Sequence, residues 1–367
     1  MTSIDTRSSN QDRANLRAAF LHAAGWADAR VNAVAGDASS RSYERLTHNG
    51  RTVILMNAPP GAESAACPVD ATPETRKQLG YNAMARLAGP NLHAFLEVSK
   101  ALRHAGLSAP EIIAADPDHG FALMEDLGDD LYARAIPGGA DEYTLYETAV
   151  DALFTLHRSK IEPPSGKNYQ MLTYDPTAMA AEIALLPEWY MPFRHGTPES
   201  GNSNPEFGLA FAAAFDDVLA DLPAPSTIVL RDYHAENLLW LPARQNIQRV
   251  GVIDFQDGLF GHASYDLVSL LEDARRDVCP DLAAAMFERY AAMSDADTQA
   301  LRAEYAILGA QRNAKILGIF ARLVVRDAKP RYADLLPRVE AHFRRNIAHP
   351  ALRPVKDVIA SALPEFS

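Results

Sequence analysis

The sequence predicts an α+β protein of two lobes, a small mixed β lobe over residues 14–125 and a larger, mainly helical lobe over 126–367. Strand-like apolar runs crowd the first part of the chain, whereas apolar residues spaced by three and four dominate the second. Between them, "FALMEDLGDD" (121–130) runs from a strand straight into an acidic, glycine-containing connector.

Each element follows from its own pattern. Residues 1–13, "MTSIDTRSSNQDR", are polar and read as a disordered lead-in before a short helix over 14–24. "GDASSRSYERL" (36–46) and "RTVILMNAPPG" (51–61) form a loop and strand pair, with Val53–Met56 stopped by Pro59 and Pro60, which cannot donate to a ladder. Residues 61–75 fit neither period and read as a loop. Leu92, Phe95, Leu96, Ser99, Leu102 and Ala105 share one face of a helix over 91–105. Beyond the connector, the spacing predicts helices over 143–158, 176–187, 205–221, 264–275, 281–292, 297–325 and 333–347. No internal repeat or low-complexity tract interrupts them.

Composition narrows the function. The chain has 367 residues, 48% hydrophobic and 22% charged, ample for a core and ordinary for a soluble protein. Acidic residues outnumber basic ones 47 to 35, a net charge of −12. That argues against nucleic acid as a partner, since binding a phosphate backbone needs a basic surface. An anionic nucleotide stays possible, because a bound metal and a local loop override the global field. Cys67 and Cys279 stand in no CxxC arrangement and read as unpaired thiols in a reducing compartment. No apolar stretch approaches the roughly 20 residues of a membrane span, and the N-terminus lacks the apolar core of a signal peptide. A cytoplasmic monomer with no membrane partner is expected.

Two stretches carry chemistry. "VLRDYHAENLLWLP" (229–242) breaks an apolar strand with Asp232, His234 and Asn237, then resumes it; "GVIDFQDGLFG" (251–261) puts Asp254 at the end of the next apolar strand. Singly, each of these residues is commonly a turn former. Together, in this order, they supply what phosphoryl transfer needs: one carboxylate to orient the attacking hydroxyl and oxygen ligands for Mg²⁺. In the spacing of a catalytic loop, Asp232 is the base and Asn237 a metal ligand, with Asp254 the second ligand. Asp257 would reach the same ion or the substrate hydroxyl. His234 has no zinc-spaced partner and reads as a structural hydrogen-bonder.

"LRDYHAENLL" resembles the catalytic loop of the aminoglycoside-phosphotransferase family, small-molecule relatives of the protein kinases. "VIDFQD" resembles that family's metal-binding segment and "FALMEDLG" its hinge. The resemblance covers most of the chain. It implies a protein-kinase-like bilobal fold, ATP and Mg²⁺ as cofactors, and hinge groups at Met124, Glu125 and Leu127 that meet adenine. The longer strings "GDASSRSYERL", "VILMNAPPG", "LPEWYM", "IDFQDGLFGHASYDLVSLLEDARRDV" and "QRNAKILGIFARL" resemble one branch, the kinases of the anomeric hydroxyl of N-acetylmuramate and N-acetylglucosamine in peptidoglycan recycling. An amino sugar and ATP are the partners this implies.

The chain departs from the family pattern at three places. Leu230 stands where a His often precedes the catalytic Asp. The phosphate loop has one glycine, Gly36, so Ser39, Ser40 and the backbone of 37–42 would approach the phosphates. "TVILMN" holds no lysine, leaving Arg41 or Lys100 to replace it and Glu97 without its usual partner. For a sugar, "EIALLPEWYMPFRHG" (182–196) offers Glu182, Trp189, Tyr190, Arg194 and His195, although Trp189 and Tyr190 equally suit a helix–loop junction. Arg312 or Lys315 would meet the lactyl carboxylate of N-acetylmuramate if their helix lines the cleft; otherwise they belong to a solvated stripe. Two other functions stay open: an aminoglycoside or choline kinase with an acidic pocket built from Glu182, Glu188, Asp273 and Asp277, and a non-catalytic nucleotide-binding scaffold.

Overall fold

The computed structural model describes residues 3–34, 41–61, 64–197 and 204–366. The small lobe is a five-stranded antiparallel sheet in the order β1-β2-β3-β5-β4, from Arg30–Val34 (β1), Ser42–His48 (β2), Arg51–Asn57 (β3), Ile112–Asp116 (β4) and Phe121–Glu125 (β5). Helices Ser3–Ala23 (α1), Pro73–Leu79 (α2), Tyr81–Met84 (α3) and Leu92–His104 (α4) complete this part of the chain. The period of two sorts the strand side chains between two faces. Val53, Leu55, Phe121 and Leu123 pack with Phe20 and Leu21 at the end of α1 and with Trp26 just beyond it. Met56, Ala122 and Met124 turn the other way, into a core shared with α4 and the large lobe.

This layering corrects the reading of the N-terminus. The stretch expected to be disordered is helical from Ser3 on, continuous with the part of α1 that packs Phe20 and Leu21 against the sheet. Arg13 fastens the helix there: its Nε donates to Asn57 Oδ1 at 3.0 Å and its guanidinium lies 3.8 Å from the centroid of the Phe121 ring.

The large lobe holds Tyr132–Ala135 (α5), Glu142–Arg158 (α6), Pro176–Ile183 (α7), Met191–Arg194 (α8), Pro205–Leu219 (α9), Ser264–Leu271 (α10), Pro280–Met293 (α11), Thr298–Val325 (α12), Leu336–Ile347 (α13) and Arg353–Ala362 (α14). Polar caps start several of them where the sequence turns helical: Asp141 accepts from Thr144 N at 3.1 Å, and Asp175 from Ala178 N at 2.9 Å just before Pro176. The helix predicted over 176–187 stops at Ile183 and passes into a π-helical turn, Leu186–Tyr190, where Pro187 has no N–H to continue the ladder. The helix predicted over 264–275 ends at Leu271.

Two short antiparallel strand pairs lie in this lobe, one nested in sequence within the other. Thr227–Val229 (β6) pairs with Leu259–Gly261 (β9), and Leu238–Trp240 (β7) with Val250–Val252 (β8). Both chemical stretches therefore sit on the connections between the two pairs, 230–237 from β6 to β7 and 253–258 from β8 to β9. Cys67 and Cys279 are free. Among the described residues no helix is long and apolar enough to cross a membrane.

Candidate active site

Residues 230–237 join β6 to β7, and backbone bonds fix their path. Asp266 on α10, fully buried, accepts the amides of Leu230 at 2.6 Å and Arg231 at 2.8 Å. Burial pushes the Asp266 pKa up to about 7, although both amides favour its charged form. Tyr233 runs inward and donates from its hydroxyl to Ala149 C=O at 2.9 Å. Arg231 takes a φ of 69° and Asp254 a φ of 57°, the left-handed region that costs a side-chain-bearing residue energy and gathers at working sites. Phe255 stacks on Phe95 of α4, centroids 4.9 Å apart, which ties the second stretch to the small lobe. At Gly258 an added Cβ would come within 3.0 Å of Phe255 C=O and 3.2 Å of Val229 C=O, so the two chemical turns approach through a glycine.

These constraints bring Asp232, Asn237 and Asp254 together. Asn237 Nδ2 donates to the Asp232 carbonyl at 3.0 Å and reaches Asp254 Oδ2 at 3.5 Å. Asp232 and Asp254 keep their carboxylates open to the cleft, each side chain 44% exposed. Their charge states diverge. Burial alone would raise the Asp232 pKa, but Lys315 above all, with Arg312 and Arg231, outweighs it and holds it at about 2. Asp254 is pushed up to about 6, first by its depth in the cleft and then by the negative charge of Asp232. Such a carboxylate has cation-binding capacity left over. Gln256 Nε2 donates to its Oδ1 at 2.8 Å, and Arg41 NH1 lies 3.9 Å from the same oxygen. Among the described residues no three His, Cys, Asp or Glu side chains gather into a metal cage.

The remaining expected residues scatter. Ser39 and Ser40 lie outside the described residues, as does Gly36. Lys100 is exposed on α4, whereas Arg41 lies beside Asp254. At the hinge, Met124 is buried in the main core and the Glu125 N–H donates to Glu111 C=O at 2.8 Å, so that amide is not open to a ligand; Leu127, two residues on, is half-buried. Asp257 Oδ1 accepts from Ala88 N at 2.7 Å.

Three sugar-site expectations need correction. Tyr190 is fully buried among Ile183, Phe211 and Leu317, with its hydroxyl on Glu340 at 2.7 Å, and Trp189 packs on the same cluster. The Tyr190 ring is closed to a ligand, and Trp189 is half-buried against the same cluster. Glu182 is fully buried beneath the catalytic loop, where Arg231 and Tyr174 donate to it, Gln311 Nε2 donates at 3.0 Å and Lys315 Nζ stands 3.5 Å away. Burial would raise its pKa, yet Arg231 and Lys315 bring it below the ordinary carboxylate value. A carboxylate so fully partnered is structural. Arg194 and His195 are exposed.

Arg312 is the sugar-site candidate that reaches the chemistry. It is 3% exposed, donates to Ser269 Oγ at 2.7 Å and lies 3.9 Å from Asp232 Oδ1, with Nε and NH1 buried and unpartnered. Asp266 and Gln256 escaped the sequence reading. The signal for Asp266 was present: a lone acid within the apolar run "SYDLVSLL".

Comparison with known proteins decides the family. The model of the phosphotransferase enzyme family, APH, matches residues 30–305. The chain belongs to this family. It is 44% identical to the N-acetylmuramate/N-acetylglucosamine kinase of Caulobacter vibrioides, over 95% of this chain and 96% of that one. It is 30% identical to the enzyme of the same name from Pseudomonas aeruginosa, over 92% and 91%. Among solved structures, a choline/ethanolamine kinase family protein from Mesorhizobium loti matches 96% of this chain and 99% of its own with a TM-score of 0.57 at 14% identity. The ADP-bound aminoglycoside phosphotransferase APH(2'')-Ib matches 86% and 94% with a TM-score of 0.52, also at 14% identity. The bilobal, kinase-like fold is thereby established, and the protein is a phosphotransferase that uses ATP.

Proposed function

We propose that the enzyme transfers the γ-phosphoryl group of ATP to the anomeric (C1) hydroxyl of N-acetylmuramate, N-acetylglucosamine or both, a step of peptidoglycan recycling in the cytoplasm. Asp232 orients the hydroxyl and takes its proton as the C1 oxygen–phosphorus bond forms and the β–γ bridge breaks, releasing ADP. The hemiacetal hydroxyl is more acidic than an ordinary alcohol, so a carboxylate held ionised by Lys315 and Arg312 suffices as its base. Asn237, through its carboxamide oxygen, and Asp254 would hold Mg²⁺, with water completing its octahedron; the donor set of one carboxylate and one amide oxygen fits that ion. When bound, the metal neutralises charge on the phosphates. Arg41 stands in for the missing strand lysine, and Leu127 meets adenine.

The single observation carrying the acceptor class is the buried cationic pair, Arg312 and Lys315, on the Asp232 side of the cleft. It disfavours a cationic aminoglycoside or choline. The acidic pocket such a substrate would need does not assemble, since Glu182 is neutralised by Arg231 and Asp277, 84% exposed, pairs with Arg338. Arg312, with two unpartnered guanidinium nitrogens, suits the lactyl carboxylate of N-acetylmuramate, and the names of the relatives agree with this acceptor. The test is incubation with ATP, Mg²⁺ and each amino sugar, read by phosphorus NMR. An alkali-stable, acid-labile phosphate without a reducing end is expected. A C6 ester, or no product from any acetylated amino sugar, overturns the reading.

A further inference from the structure

Residues 73–91, between β3 and α4, belong by sequence to the small lobe, yet several of their anchors are in the large one. Four hydrogen-bonding groups pin them there. Arg76, 1% exposed, sends Nε to Ala83 C=O at 3.1 Å within the segment and NH1 to Asp175 Oδ2 at 2.7 Å, at the start of α7. Arg86 donates to Thr173 C=O at 2.6 Å and pairs with Asp175 at 3.0 Å. Arg231, the neighbour of Asp232, sends NH1 to Ala85 C=O at 3.1 Å. Ala88 N donates to Asp257, three residues past Asp254.

Other observations show where this strap runs. Tyr81 lies under the guanidinium of Arg322, 5.1 Å from its ring centroid, on the helix that also carries Arg312 and Lys315. Arg41 NH2 reaches Gly89 C=O at 3.5 Å. The strap thus spans from the cation beside Asp254, past the residue next to Asp232, to α12. Arg86 itself has a φ of 55°, so left-handed non-glycine backbone occurs in the strap as well as at Arg231 and Asp254. A solvent-exposed loop needs none of these anchors. A wall that must keep its place beside a reacting hydroxyl does, because small displacements there are costly in rate.

We propose that residues 73–91 form the acceptor-side wall of the cleft and restrict it to a single sugar ring, with Arg76, Arg86 and Asp175 as positioning residues that hold the wall against the catalytic loop. The proposal rests on the amino-sugar reading above. Two variants test it: Arg86→Ala, and Asp175→Asn, which keeps an N-cap for α7 but removes the charge shared by both arginines. Assayed well below the melting temperature of each variant, each is expected to raise the KM for the amino sugar about tenfold while leaving the KM for ATP as it was. A bulkier acceptor with a free reducing end, di-N-acetylchitobiose, is expected to gain on the monosaccharide in relative kcat/KM by a similar factor. Unchanged acceptor KM and unchanged discrimination in both variants would overturn the strap's role. If the wild-type enzyme turns over no acetylated amino sugar, the functional reading fails instead, and the same ratio of acceptor KM to ATP KM, measured on whatever acceptor it does use, decides the strap alone.

Discussion

On one side Asp232 faces Asn237 and Asp254, its own carboxylate and that of Asp254 open to the cleft, with Arg41 beyond Asp254. Toward the helical lobe it backs onto a closed network, where Arg312 and Lys315 stand over Glu182, Arg231, Gln311 and Tyr174, all buried. The open side is chemistry left unsatisfied, two carboxylates that repel one another until a cation arrives. The closed side is the opposite, charges taken out of water, with Glu182 partnered by Arg231 and Lys315. Removing an open-side group should therefore cost rate, and removing a closed-side group should cost the fold.

The largest effect expected on this contrast is at Asp232. Asp232→Asn should lower kcat about 10²–10⁴-fold, the usual worth of a positioned acid–base group, with no loss of melting temperature. Steady-state rates beside a thermal melt check both halves. A variant that melts early would erase the distinction between the two sides.

Glu182→Ala probes the closed side. It leaves Arg231 and Lys315 as buried cations without their carboxylate, and breaking such a cluster costs about 3–5 kcal/mol. A shifted urea midpoint with unchanged slope is the expected readout. An unaltered midpoint together with a raised sugar KM would return Glu182 to the substrate site.

Asp266→Asn sharpens the comparison, because Asp266 belongs to the closed side yet holds the open one in place. Asparagine offers one acceptor oxygen to the two amides of Leu230 and Arg231, and the amide left over costs about 1–3 kcal/mol. Stability and kcat should fall together, with the KM for both substrates little changed. A fall in stability alone would mean that the loop keeps its path without this carboxylate.

The same contrast explains what could be read in advance. Asp232, Asn237 and Asp254 come from two neighbouring turns, so their spacing along the chain is nearly their spacing in space. The closed network draws Arg231, Glu182, Gln311 and Lys315 from three distant segments, and only packing brings them together. Glu182 was therefore visible as an acid near aromatics but not as the partner of Arg231. Trp189 and Tyr190 misled for a related reason: an aromatic pair says nothing about which way a helix is turned, and α12 and α13 settle that. The α1 helix was hidden because its apolar residues lie in its second half, and its polar first half copies a disordered tail. Strand alternation at Val53–Met56 and the helical spacing of 91–105 were legible because local periodicity alone determines them.

The smallest effect concerns pH, through His234. It lies near Asp232, 3% exposed, and burial first, with Arg275 beside it, drives its pKa down to about 4. Arg275 NH1 donates to Nε2 at 3.1 Å, so the neutral ring carries its proton on Nδ1. In the unfolded chain the same imidazole titrates near 6.5. Between these values the unfolded state binds the extra proton, so the stability this residue contributes is whole above pH 6.5 and is lost as pH falls toward 4. One proton per chain corresponds to a slope of about 1.4 kcal/mol per pH unit once well below 6.5. His234→Gln, which cannot titrate, should flatten the acid side of the stability curve by that amount and leave the neutral side nearly unchanged. Urea unfolding at a series of pH values from 7 to 4 measures the difference (roughly the range over which the imidazole stays neutral only in the folded state). Parallel curves for the two proteins would mean that the folded protein admits the proton, and that the closed side of Asp232 is wetter than its packing indicates.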